Sequence, residues 1–127
     1  GLRIVNVERP LVEIQKAVTT SLPLGQRRVD NGGMRFYSKY FVVRGRKFAS
    51  GDTAPIRYYA QVYILGDRRP YVIEVYVNKQ RRVSAQSSEY VDEGSDQEIA
   101  KVVYQRIQFQ LSKRREDLNI IDDFRIF

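Results

Sequence analysis

Serine stands next to lysine twice in this chain, at Ser38–Lys39 and Ser112–Lys113, and acidic residues pair at Glu116–Asp117 and Asp122–Asp123. Serine beside lysine suggests an activated hydroxyl, and paired carboxylates suggest a divalent cation or a shared proton. The spacing argues against both. Ser38 and Lys39 fall in a strand-like run, where neighbours point to opposite faces. Ser112 and Lys113 close a helical run, where adjacent residues do not face each other. The acid pairs lie beside Lys113, Arg114 and Arg115, so local ion pairing is their expected role. No calcium-loop spacing, G-x-S-x-G, P-loop or G-x-G-x-x-G is present. The chain has neither cysteine nor histidine, which excludes thiol catalysis, disulfides, and histidine bases or ligands. The sequence therefore points to no catalytic residue, no metal ligand and no cofactor. An acid-based enzymatic site unrelated to these motifs is kept as a remote alternative.

Aromatic and cationic residues alternate instead. Three runs carry apolar side chains at one parity: Met34, Phe36, Tyr40 and Val42; Ile56, Tyr58, Ala60, Val62 and Ile64; Tyr71, Ile73, Val75 and Val77. Period-two alternation predicts strands that bury this parity. The opposite parity reads Arg35, Tyr37, Lys39 and Phe41, then Arg57, Tyr59, Gln61 and Tyr63, then Val72, Glu74 and Tyr76. Tyrosine is a good strand former, so ordinary cross-strand pairing accounts for part of this pattern. Tyrosine and arginine are also enriched at protein interfaces. The expected partner-binding set is Arg35, Tyr37, Lys39, Phe41, Arg57, Tyr59, Tyr63 and Tyr76. Its aromatics would make contact and its cations would orient the partner.

The same face suits single-stranded nucleic acid, with rings stacking bases and cations holding phosphates. Two observations disfavour that alternative. The string typical of RNA-binding sheets is absent, and Gly33-Met34-Arg35-Phe36-Tyr37 does not fit it. The chain is basic, with a net charge of +7 from 22 Lys and Arg against 15 Asp and Glu, which favours anionic partners in general. Yet the expected placement puts Arg44, Arg46, Lys47, Lys79, Arg81 and Arg82 at one end of the sheet. Arg27, Arg28, Arg68 and Arg69 fall at the other. Two poles make no continuous phosphate track. One pole alone suits peripheral contact with an anionic membrane, at ~1 kcal/mol per basic residue. A protein partner or a second copy of the chain is the favoured occupant.

The elements that must position these residues follow from the same patterning. The 127 residues suit one domain, 1–127, with no linker or repeat. Leu2–Val7 reads as a strand. Arg9–Leu22 reads as a helix with Pro10 in its first turn and Leu11, Ile14, Ala17, Val18 and Leu22 as its buried stripe. Arg27–Val29 reads as a short strand, Asn31-Gly32-Gly33 as a turn and Met34–Val43 as one long strand. Gly45–Pro55 reads as loop. Ile56–Leu65 and Tyr71–Val77 form a hairpin, with Pro70 at the strand's entry. Lys79–Gly94 reads as irregular. Ser95 and Glu98 predict a capping box opening a helix to about Lys113, with Ile99, Val102, Val103, Ile107 and Leu111 buried. The apolar run Leu118–Phe127 is expected to dock, as a final edge strand or across the aromatic face.

The expected fold is α+β, with the order β-α-β-β-β-α-β. It is an antiparallel three- to five-stranded meander with two helices packed on one face, which leaves the other face open. This order resembles that of many small accessory domains, some in bacterial envelope lipoproteins and some in nucleic-acid-binding proteins. That is likeness of architecture alone and assigns no site. The expected function is a non-enzymatic interaction domain, with an extracytoplasmic setting in a bacterial envelope as the leaning.

Overall fold

The structure, a computed structural model, describes residues 1–113. The elements in chain order are β1 (Leu2–Val7), α1 (Leu11–Ser21), β2 (Gln26–Asp30), β3 (Arg35–Ser38), β4 (Phe41–Arg44), β5 (Lys47–Ser50), β6 (Ile56–Leu65), β7 (Tyr71–Arg82), β8 (Tyr90–Ser95) and α2 (Gln97–Ser112). The class is α+β with an antiparallel sheet, as the alternation predicts. The sheet is larger than three to five strands: all eight pair into one.

The β6–β7 hairpin is its spine, with register from Ile56↔Arg81 to Leu65↔Val72. Shorter strands flank it end to end. Beyond β7 lie β1, opposite Tyr71–Val75, and β8, opposite Asn78–Arg82. Beyond β6 lie β3 and β4, with β2 outside β3 and β5 outside β4. Two stretches expected to be irregular supply the extra strands. Within 45–55, β5 returns on β4 in a tight hairpin. Within 79–94, β7 continues to Arg82 and β8 pairs with it. Apolar alternation fades there, and polar cross-strand pairs take over: Gln80 Nε2 donates to Asp92 at 3.0 Å, and Arg81 pairs with Glu93 at 2.8 Å.

One face of the sheet and both helices enclose the core. Phe36, Ala60, Val62, Ile64, Tyr71, Ile73, Val75 and Val77 meet Ile14 and Val18 of α1 and Ala100, Val103 and Ile107 of α2. Helix α2 is capped by Asp96, whose carboxylate accepts from the Ile99 amide at 2.9 Å, so the cap lies one residue beyond the expected serine. Ala100 takes the buried position expected of Val102, which is exposed. The turn into β3 places Asn31, Gly32 and Gly33 at positive φ in succession, as their types predict.

No helix among the described residues is long and apolar enough to cross a membrane. The expected final strand in Leu118–Phe127 lies outside the described residues, as do Arg114, Arg115 and the Glu116–Asp117 and Asp122–Asp123 pairs.

The long strand expected over Met34–Val43 is broken, and the break corrects one site assignment. Ser38 and Phe41 are both fully buried, with two residues, Lys39 and Tyr40, between them. A regular strand would bury Tyr40 and expose Phe41. The Ser38 hydroxyl accounts for the shift. It accepts the Ala60 amide at 2.8 Å, standing in for a backbone carbonyl, and donates to the Lys39 carbonyl at 2.8 Å. The parity flips there, as at a bulge. Phe41 turns into the core against Phe48, with ring centroids 4.9 Å apart, so it belongs to no contact surface on the open face. Tyr40 turns out in its place.

Candidate interaction face

Antiparallel register brings the outward residues into rows across the strands. Arg35, Tyr63, Glu74 and Arg3 form one row; Tyr37, Gln61 and Tyr76 form the next. Tyr59 follows beside Asn78, then Arg57 beside Gln80. Seven of the eight expected site residues therefore lie on or beside this face. Phe41 does not. Lys39 sits exposed beside the break in the strand.

The sequence pattern missed four members: Tyr40, Arg27, Arg28 and Tyr90. Tyr40 was hidden by the parity flip. Arg27 and Arg28 were expected at a pole with Arg68 and Arg69. The β2–β3 register places them instead beside Ser38 and Tyr37, with an irregularity between Gln26 and Arg28. Tyr90 lies in β8, which has no alternation to announce it.

The face divides into two halves. In the first, cations lie over tyrosine rings. The Arg57 guanidinium stacks between Tyr40 and Tyr90, 3.5 Å from each centroid. Its Nε donates to Gln80 Oε1 at 2.8 Å and its Nη1 to the Asp52 carbonyl at 3.1 Å. The Tyr90 hydroxyl donates to the Ala54 carbonyl at 2.7 Å. Arg27 lies 4.4 Å from the Tyr40 centroid and 5.4 Å from that of Tyr59, with its Nε on the Ser38 carbonyl at 3.0 Å. Arg28 covers Tyr37 at 4.3 Å and pairs with Asp30 at 3.0 Å. These contacts tie β2, β3, β6, β7, β8 and the Tyr40 link between β3 and β4 together on the outer side of the sheet.

The second half is looser. Tyr63 and Tyr76 pair with centroids 5.5 Å apart, and the Tyr63 hydroxyl donates to Gln61 Oε1. Arg35 approaches the Tyr63 ring at 5.4 Å and is exposed. Arg3 and Glu74 close the row with an ion pair at 2.7 Å. Tyr37, Tyr59, Tyr63 and Tyr76 are all half-buried. Burial pushes the Tyr59 and Tyr63 phenols above the ordinary tyrosine range. For Tyr59 the Asp92 carboxylate adds to the rise, and for Tyr63 the neighbouring Tyr37 does. Both are neutral donors at physiological pH.

Other clusters offer less chemistry. Among the described residues no three acidic side chains converge. A surface cavity of about 540 Å³ lies between α1 and α2, is lined by Thr20, Val102, Arg106 and Phe109 among others, and holds no carboxylate among the described residues. A second, about 250 Å³, lies between α2 and the β4–β5 hairpin and holds only Glu98.

The chain matches no family model, no curated protein and no solved structure. What it can do is therefore argued from the face itself.

Proposed function

We propose that this is a non-enzymatic interaction domain that contacts a protein partner, or a second copy of itself, through the open face of the sheet. One observation carries the reading. Tyr63 and Tyr76 form a half-buried aromatic pair, with Arg35 at its edge and Gly1 against the Tyr76 ring. Rigid tyrosines beside an arginine are the composition of protein contact sites, since they bury large area at small loss of rotamer freedom. The Arg57 stack holds the neighbouring half in one arrangement, so the surface is organised before anything binds.

Single-stranded nucleic acid is the second reading, supported by the net charge and by Arg27 and Arg28 reaching from the edge strand β2 over rings of the face. Arginines already lie over the rings of Tyr37, Tyr40 and Tyr90, where bases would have to stack. That favours protein. The extracytoplasmic setting and peripheral contact with an anionic membrane stay secondary proposals, the latter resting on the basic residues at the sheet ends.

The test is the Tyr63→Ala/Tyr76→Ala double variant beside wild type. Sedimentation and partner crosslinking through a photoreactive group at Arg35 should show association weakened at least roughly ten-fold, with the circular dichroism of the fold retained. Unchanged association in the double variant removes the reading. Oligonucleotide binding that steepens at low salt would replace it with the second.

A further inference from the structure

We propose that a second copy of this chain docks on the outer side of α2, two-fold and antiparallel, so that Phe109 of each copy fills a cavity beside the start of the other's helix. Helix α2 buries Ala100, Val103 and Ile107 against the sheet. A second row winds beside them at spacings of three and four: Ile99, Val102, Arg106, Phe109 and Lys113. That spacing places side chains along one face of a helix. Among the described residues Val102 remains 43% and Phe109 62% exposed. Large apolar side chains recurring two turns apart on a surface helix mark a seam for association.

The two ends of the row complement each other. At the start of the helix, the cavity of about 250 Å³ against the β4–β5 hairpin has Val43, Phe48, Ile99 and Val102 as apolar lining and Glu98 and Arg46 as polar lining. Glu98 forms no ion pair with another described residue. At the far end Phe109 stands out from the helix, and the Lys113 ammonium lies 5.3 Å from its ring centroid. One end is an apolar hollow with a carboxylate, and the other is an aromatic ring carrying a cation. A ring seated in such a hollow is the usual anchor of a protein interface.

Charge selects the second copy and its direction. Val102 and Phe109 are separated by about 10 Å along the helix axis. A two-fold axis midway between them, beside Gln105 and Arg106, sets Val102 of each copy against Phe109 of the other. Glu98 and Lys113 are equally far from that midpoint, so the same operation sets Glu98 of each copy against Lys113 of the other. Every contact is thereby made twice, as an isologous interface requires. A parallel copy would set Glu98 against Glu98 and Lys113 against Lys113, which like charge disfavours. Arg106 does not oppose its own copy at the axis, because its guanidinium is drawn aside over the Phe48 ring, 4.7 Å from the centroid. The row lies on the helical side of the domain. It therefore takes the second copy and leaves the tyrosine face to a different protein.

Sedimentation velocity on the intact chain over a dilution series tests this. Wild type should sediment as a dimer that dissociates on dilution. Phe109→Asp should weaken the association at least roughly thirty-fold, as loss of an anchoring aromatic does, with the circular dichroism of the fold retained. Glu98→Lys and Lys113→Glu should each weaken it alone. Mixing these two single variants should restore it, because each then meets the opposite charge at both contacts. A pair formed within one chain would give no such recovery. A wild type that stays monomeric overturns the proposal and leaves the cavity to a different protein. Dimerisation that persists in Phe109→Asp overturns it too, as does a mixture no tighter than its components. Tyr63→Ala/Tyr76→Ala should leave the dimer intact, and loss of the dimer there would place the second copy on the sheet face instead. Crosslinking at Arg35 reads the sheet face separately, so either reading can fail without the other.

Discussion

Replacing Ser38 by alanine removes the joint that sets which residues reach the open face. Its hydroxyl is fully buried, accepts the Ala60 amide at 2.8 Å and donates to the Lys39 carbonyl at 2.8 Å. Alanine deletes both bonds. Ala60 is itself fully buried, so its amide is left without water or partner. A buried amide without a partner costs about 1–3 kcal/mol, and the lost hydroxyl bond adds about 1 kcal/mol. The expected destabilisation is therefore near 3 kcal/mol, a large share of the ~5–15 kcal/mol typical of a domain. For a chain of this length that lowers Tm by about 10 °C. Urea unfolding followed by far-ultraviolet circular dichroism gives the free energy, and an unchanged m-value confirms that the same surface unfolds. The variant should also alter the near-ultraviolet signal, since Tyr40 and Tyr59 sit beside the joint with ring centroids 5.9 Å apart. A loss below about 0.5 kcal/mol, within the range of an inert surface substitution, would refute the reasoning. The Ala60 amide would then have another partner, and the parity flip another cause.

Gly51→Ala should destabilise by about 1–3 kcal/mol in the same assay, because a Cβ there would stand 2.8 Å from the Phe41 carbonyl carbon, where β4 and β5 close on each other. Arg57→Leu should lose about 1–2 kcal/mol by removing the cation between Tyr40 and Tyr90, whereas Arg35→Leu should leave stability within ~0.5 kcal/mol of wild type. The raised phenols of Tyr59 and Tyr63 give an alkaline limit. Their folded pKa values exceed the unfolded ones, so they contribute stability below the ordinary tyrosine pKa. That contribution is lost as pH rises through the raised folded values. Ultraviolet difference titration should show two late phenols, and Tyr59→Phe/Tyr63→Phe should remove them and flatten the alkaline fall in stability.

The β6–β7 hairpin was legible because both of its runs alternate strictly over a buried face. α1 was legible for the same reason at helical period. β5 and β8 were not. They are held by edge pairing and by polar partners such as Arg81 with Glu93, and neither leaves a periodic apolar signature. The face itself was visible as Arg35, Tyr37, Tyr59, Tyr63 and Tyr76. One hydroxyl defeated the reading beyond Ser38. A buried serine in an apolar parity was the available sign, since such a group must find hydrogen-bond partners and here finds them by displacing the ladder. Arg27 and Arg28 were misplaced because register, which decides their neighbours, is not set by their own sequence but by where β3 begins.

Moving those two arginines changes what the positive charge means. At a pole they would have been two more cations of a solubilising rim. Beside Tyr37, Tyr40 and Tyr59 they cover ring faces, and their charge is partly answered by Asp30 and by the Ser38 carbonyl. These edge-strand cations thus lie over tyrosine rings and hold them in place, as Arg57 does for Tyr40 and Tyr90. On the proposed reading, a partner would find its contact area where rings are paired with each other, at Tyr63 and Tyr76, with exposed Arg35 at the margin to set orientation. Such a surface discriminates by shape and by a few directed hydrogen bonds more than by net charge. The formal charge of +7 is accordingly weak ground for inferring an anionic partner for this face.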